Sequence, residues 1–284
     1  MLHTIENDYL KVTVSDHGAE LTSVYDKAQD FERIWCADPA VWNRHAPVLF
    51  PFVGKVKDGA YRYNGNTYTM KTQHGFARDA EFTCIAETTD SITHKLVYSD
   101  ETLEIYPFEF ELLITHRFDA ENPRLLHVTW AVKNLGSDEM LYSIGGHPGF
   151  QIPIEKNLKF EDYRIDFGED PKPRRILFSE DCFVLEEDEA FALEEGRYLN
   201  LEHNLFDDDA IVLKEMPREV TLESAKGSKK ITVAFPDMDY LGIWHWPHVE
   251  VDYVCIEPWS SLPSRKNVVE DLEKQADLLS LESG

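Results

Sequence analysis

The chain has 284 residues, of which 43% are hydrophobic and 12% aromatic, enough to bury a sizeable core and too apolar for a disordered segment. Its 53 acidic residues against 28 basic ones give a formal charge of −25, a field that repels nucleic acid and anionic lipid and argues against both as partners. No stretch reaches membrane-spanning length.

Cys36, Cys84, Cys182 and Cys255 lie far apart with no CxxC pair, and the N-terminus MLHTIENDYLKV lacks the basic-then-apolar order of a secretory leader. A cytoplasmic protein with reduced thiols is expected, although the count by itself also permits two disulfides.

Alternation begins at Tyr9–Val14 and predicts a strand. Asp38 and Pro39 open DPAVW as an N-cap and a first-turn proline, predicting a short helix. Asn64-Gly65, between Ala60–Tyr63 and Thr67–Met70, is a two-residue hairpin signal. Glu109–His116 and Leu125–Val132 read as strands around the Asn122-Pro123 turn, with a further turn at Leu135–Ser137. A strand-like run Glu139–Ile144 then leads into GGHPG.

Further along, the acidic run Glu186–Glu189 reads as an exposed loop, and the Lys226–Ser228 turn precedes a strand at Lys230–Phe235. Tyr253–Ile256 reads as a buried strand, and Asn267 as the cap of a short helix at Val268–Leu272. Recurrent strands, few short helices, no linker and no internal repeat predict an all-β fold, a large antiparallel sandwich or barrel forming one domain over residues 1–284.

Three segments break the strand pattern with residues a core does not need: QHGFAR (73–78), GGHPG (145–149) and VCIEPW (254–259). Gly145 and Gly146 permit backbone conformations closed to other residues and Pro148 fixes its own φ, so His147 is expected in a stiff, bent segment that aims its ring. Glu257 ends an apolar run, where a carboxylate is expensive to desolvate unless paired. It either leaves the sheet for water or sits in a cleft with a raised pKa as a general base.

His147 is either a catalytic imidazole or a loop histidine satisfied by a carbonyl, and His74 either joins it or sits incidentally in a bulge. Two histidines and a carboxylate are also the donors of a metal triad, but no HxH or HExxH pair fixes two ligands on one element. His245 and His248, split by Pro247, read as a loop pair or surface histidines. No GxSxG, P-loop, GxGxxG or kinase set is present, so any chemistry is proton transfer.

Six motifs taken together, RHAPVLFPFVG (44–54), YNGNTYTMKTQHGFARD (63–79), SIGGHPGF (143–150), HNLFDDDAIVL (203–213), LGIW (241–244) and CIEPW (255–259), resemble the aldose 1-epimerase (galactose mutarotase-like) family, most closely its LacX-like branch. The resemblance implies an antiparallel supersandwich with a sugar on its open face and interconversion of α and β anomers of an aldose, with no metal and no organic cofactor. It implies Glu257 as the base on the anomeric hydroxyl, His147 as the acid on the ring oxygen, and His74 as a second contact to that oxygen.

Arg78 and Asp209 occupy motif positions for binding sugar hydroxyls, with Asp208 a rival in the run Asp207–Asp209. Lys55 stands where the family often has arginine, and its ammonium cannot make the planar two-bond contact of a guanidinium. Trp259 is placed either to stack on a pyranose or to fill core. The resemblance also implies one more strand than the chain supplies after Leu281, which would leave a sheet edge open.

The expected partner is therefore a small-molecule sugar, with monomer and homodimer both open. The competing reading is a sugar-binding or sensing sandwich that turns nothing over. Glycoside hydrolysis, which wants two catalytic carboxylates, finds only Glu257 in a motif.

Overall fold

A computed structural model describes residues 1–284. Hydrophobic alternation dictates the first sheet: in Leu10–Ser15, Leu10, Val12 and Val14 are buried while their neighbours face outward. This strand pairs with Leu2–Glu6 on one side and Leu21–Asp26 on the other, and Phe31–Glu32 completes the meander. A second four-stranded sheet runs Leu126–Asn134, Phe110–Phe118, Ser91–Val97 and Thr83–Glu87 in spatial order. Phe110, Leu112, Ile114, His116 and Phe118 form its inward face.

The central sheet has eight strands and is antiparallel throughout. Its path is Val184–Ala190, Arg174–Phe178, Ile211–Lys214, Tyr240–Trp244, Tyr253–Trp259, Gly145–Gly146 and Val48–Leu49, with Gly149–Gln151 also paired to Tyr253–Trp259. A further sheet joins Tyr198–Asn200, Arg164–Asp166, Glu219–Glu223 and Ile231–Ala234. The largest core cluster draws residues from Ala19 to Leu272, so strands distant in sequence share one apolar interior. The last strand, Leu279–Leu281, pairs with Met140–Tyr142. The architecture is the expected all-β antiparallel sandwich, and no helix is long and apolar enough to cross a membrane.

Several local expectations need correction. Residues 39–41 form a turn, not a helix: Asp38 Oδ1 accepts from Ala40 N at 2.9 Å, and Val41 N bonds the Asp38 carbonyl. The C-terminal helical turn spans Leu272–Lys274 and not Val268–Leu272. Glu186–Glu189 is not a loop but part of the strand Val184–Ala190, where Asp188 is paired with Arg174 and Lys214. The one α-helix, Asp100–Ile105, starts at a Ser99/Thr102 capping box not read from the sequence. All four cysteines are free.

Candidate active site

Glu257 lies inside a strand, not at its end, and is 1% exposed. Side-chain alternation along Tyr253–Trp259 puts Tyr253, Cys255, Glu257 and Trp259 on one face, with Val254 and Ile256 in the main core behind. On the neighbouring chain segment Gly145 is opposite Trp259 and Gly149 is opposite Cys255. The two pairs share one register, so two residues inward from each His147 meets Glu257. His147 itself lies in the unpaired step between these two ladder pairs, and its Nε2 is 3.2 Å from Glu257 Oε2.

The glycines around His147 serve a different purpose from the one expected. Gly145 and Gly146 are strand residues and do not adopt positive φ. They are required by close approach: a Cβ on Gly145 would fall 2.8 Å from the Pro258 carbonyl oxygen, and one on Gly146 2.9 Å from the Trp130 ring. Gly149 similarly admits the Trp42 ring, whose nearest atom would be 2.9 Å from a Cβ there.

His74 takes the strained conformation instead, with φ +65, followed by Gly75 at φ +70. Its amide donates to the Gly54 carbonyl at 2.7 Å, and the Gly54 amide donates back to His74 Nδ1 at 3.0 Å. The Gln73 side-chain nitrogen lies 3.1 Å from His74 Nε2, and the ring packs edge-on against His147 with centroids 5.6 Å apart.

Burial sets the electrostatics. Desolvation, reinforced by the charges of His147, Arg78 and Arg44, holds the His74 pKa well below the ordinary histidine value. Trp42 lies over the His147 ring at 4.9 Å and Trp244 meets it edge-on at 5.4 Å. This apolar sandwich strips water from His147 and lowers its pKa to about 3. Glu257 moves the other way: burial first, then the Asp209 carboxylate, raises it well above 4.5. The opposite shifts favour the proton on the carboxyl over the imidazole when one is shared between the two.

These groups line a cavity of about 730 Å³, a size suited to a small polar ligand. Arg78 enters from the short turn Ala77–Asp79, and Lys55 Nζ reaches the Asp181 carbonyl at 3.3 Å. Asp208 and Asp209 both line the wall; Asp209, at φ +78, accepts a hydrogen bond from the Cys182 thiol at 2.7 Å. Trp259 is both wall and core, packing with Leu49 and Val212 beneath the cavity.

Arg78 Nε, His147 Nδ1, both Glu257 oxygens and Trp259 Nε1 are buried without hydrogen-bond partners, which makes the cavity a concentration of unmet polar demand. His147 and Glu257 from the cavity lining and Cys255, buried in the core beside them, also present ligand atoms within 4.8 Å of one another, a set able to hold a metal.

All six sequence-predicted positions, Lys55, His74, Arg78, His147, Asp209 and Glu257, thus face one hollow. His245 and His248 do not join it. His245 is fully buried, pairs with His203 at 3.2 Å and bonds the Trp246 carbonyl, while His248 is exposed beside Asp207. The sequence reading assigned no role to Trp42 or Arg44. Both follow the Asp38-Pro39 turn, and Arg44 Nη2 bonds Asp79 at 2.6 Å while Nη1 bonds the Arg78 carbonyl. A tryptophan beside Asn-Arg-His in a polar stretch was the available signal.

The profile of the aldose 1-epimerase family matches residues 1–274. The chain belongs to this family. Protein LacX of Lactococcus lactis subsp. lactis is 32% identical over 98% of this chain and 95% of its own length. Among solved structures, a galactose mutarotase related enzyme from Lactobacillus acidophilus superposes with a TM-score of 0.93 at 35% identity, covering 100% of this chain and 93% of that one. A galactose mutarotase-like protein from Lactobacillus casei ATCC 334 gives 0.92 at 32% identity, covering 100% and 96%. The fold and the LacX-like resemblance both stand on these matches.

Proposed function

We propose that the chain, acting as one catalytic unit, is an aldose 1-epimerase that interconverts the α and β anomers of a hexose or related sugar by general acid–base ring opening. The observation that carries this reading is the 3.2 Å contact between His147 and Glu257 in the lining of a sugar-sized cavity.

Ring opening removes the proton from the anomeric hydroxyl while another reaches the ring oxygen, as C1=O forms and the C1–O5 bond breaks. Glu257 takes the first proton and His147 delivers the second. The sugar's hydroxyl and ring oxygen are then neighbours bridging the pair, and the hydroxyl hydrogen bond favours the ionised carboxylate that burial alone disfavours. His74 contacts the ring oxygen and helps to polarise it as charge develops there. Rotation about C1–C2 exposes the other carbonyl face, and closure reverses both transfers. Arg78, Lys55 and Asp209 hold the hydroxyls from the walls.

Polarimetry or NMR of freshly dissolved α-glucose and α-galactose tests this, with wild type beside His147→Asn and Glu257→Gln. Equilibration faster than buffer, lost in both variants, is the expected outcome. A wild-type protein that binds a sugar yet leaves its anomeric equilibration at the buffer rate is a sensor, and the proposal fails.

A further inference from the structure

Away from the cavity, where the first two sheets meet, five polar side chains crowd a small volume. His3 comes from the edge strand Leu2–Glu6, and Asp16 follows the strand Leu10–Ser15. Cys84 and His94 face each other as register partners on the adjacent sheet, with Glu87 further along the Cys84 strand. His3 Nε2 and His94 Nε2 lie 2.9 and 3.1 Å from the same oxygen, Oδ1 of Asp16.

One ligand atom from each of His3, Cys84 and His94 lies within 4.8 Å of the others. His94 is 0% exposed, and its Nδ1 is buried without a partner. The sugar site uses none of these residues.

We propose that His3, Cys84 and His94, with Asp16 bonded to both rings and to the Met1 ammonium, form a binding site for a divalent cation of the zinc type, joining the N-terminal sheet to its neighbour. Two imidazoles and a thiolate are a borderline nitrogen–sulfur set, which suits tetrahedral zinc and disfavours magnesium or calcium. Tetrahedral bonds of 2.0–2.3 Å put ligand atoms about 3.3–3.7 Å apart, so the three donors, already within 4.8 Å of one another, close on a cation by moving together by at most about 1–1.5 Å.

Glu87 supplies the outer support such sites use: its Oε2 is 2.8 Å from His3 Nδ1, holding the ring so that Nε2 faces inward. Asp16 and Glu87 set two carboxylates against the single Met1 ammonium, and burial beside Glu87 keeps the Cys84 thiol protonated until a dication binds. Binding displaces the Cys84 proton.

The test is a cobalt(II) titration of the full-length chain, with nothing added before Met1, after chelator treatment and dialysis. Wild type is expected to take one equivalent, with a thiolate-to-cobalt charge-transfer band in the near ultraviolet that added zinc abolishes. Cys84→Ser loses the band, His3→Gln weakens cobalt binding at least tenfold, and Glu87→Gln weakens it about 10–100-fold, the usual effect of an outer-shell partner. Cys255→Ser, at the other donor cluster, leaves the band intact.

His94 is left unchanged because a variant at a fully buried position can fail to fold; circular dichroism checks the folding of the others. No band at millimolar cobalt, a band that survives Cys84→Ser, a band lost instead in Cys255→Ser, or undiminished affinity in His3→Gln overturns the proposal.

Discussion

Glu257→Gln keeps the size of the side chain and removes its ability to ionise. Glu257 is 1% exposed, neither oxygen has a hydrogen-bond partner, and its pKa is raised well above 4.5. A group with a raised folded-state pKa stabilises fully below its unfolded value and loses that contribution as pH rises through the folded value. Above pH 4.5 the unfolded chain releases this proton and the folded chain keeps it, so stability falls by about 1.4 kcal/mol per pH unit.

From pH 4.5 to pH 7 the loss is at most about 3 kcal/mol, and less to the extent that His147 shares the proton. Glutamine carries no such slope. Urea unfolding followed by tryptophan fluorescence is expected to find the variant level with wild type at pH 4.5 and more stable by up to about 3 kcal/mol at pH 7, while turnover falls by about 10²–10⁴. A stability difference that stays flat with pH, a variant less stable at pH 7, or undiminished turnover refutes the reasoning.

Two further outcomes follow from the same geometry. The His147 ring, followed by NMR, is expected to show no titration midpoint near pH 6.5, because burial lowers its pKa to about 3; a midpoint near 6.5 would contradict it. Gly75→Ala forces a side chain into φ +70 with its Cβ 2.2 Å from the Phe50 carbonyl oxygen, so conformational strain and overpacking together are expected to lower stability by about 2–5 kcal/mol in denaturant unfolding. A change under about 0.5 kcal/mol would show that the loop carrying His74 is not held by this contact.

Where local pattern decides structure, the sequence was readable. Asn64-Gly65 does make a two-residue turn, with Tyr63 opposite Asn66, because both turn residues need positive φ. The alternation in Phe110–Phe118 marks its buried face. Long-range pairing was not readable: Asp188 extends an acidic run into a strand only because Arg174 and Lys214 neutralise it from across the sheet.

The candidate site divides in the same way. Its residues stood out as titratable groups in stiff settings, but the register that sets His147 against Glu257, and the backbone approach that demands Gly145, exist only once the strands are paired. The strand expected to stop at Ile256 runs on through Pro258 to Trp259. The proline is accommodated opposite Gly146, where the facing ladder lapses between Gly145 and Gly149.

Arg78 shares a segment with His74, Lys55 follows the Gly54 that exchanges two hydrogen bonds with His74, and the Asp209 carboxylate raises the Glu257 pKa. Under the proposed function, the groups that would grip the sugar are therefore tied to those that would move its protons. A loop graft that retargets the pocket to a new sugar should change the rate of anomer exchange as well.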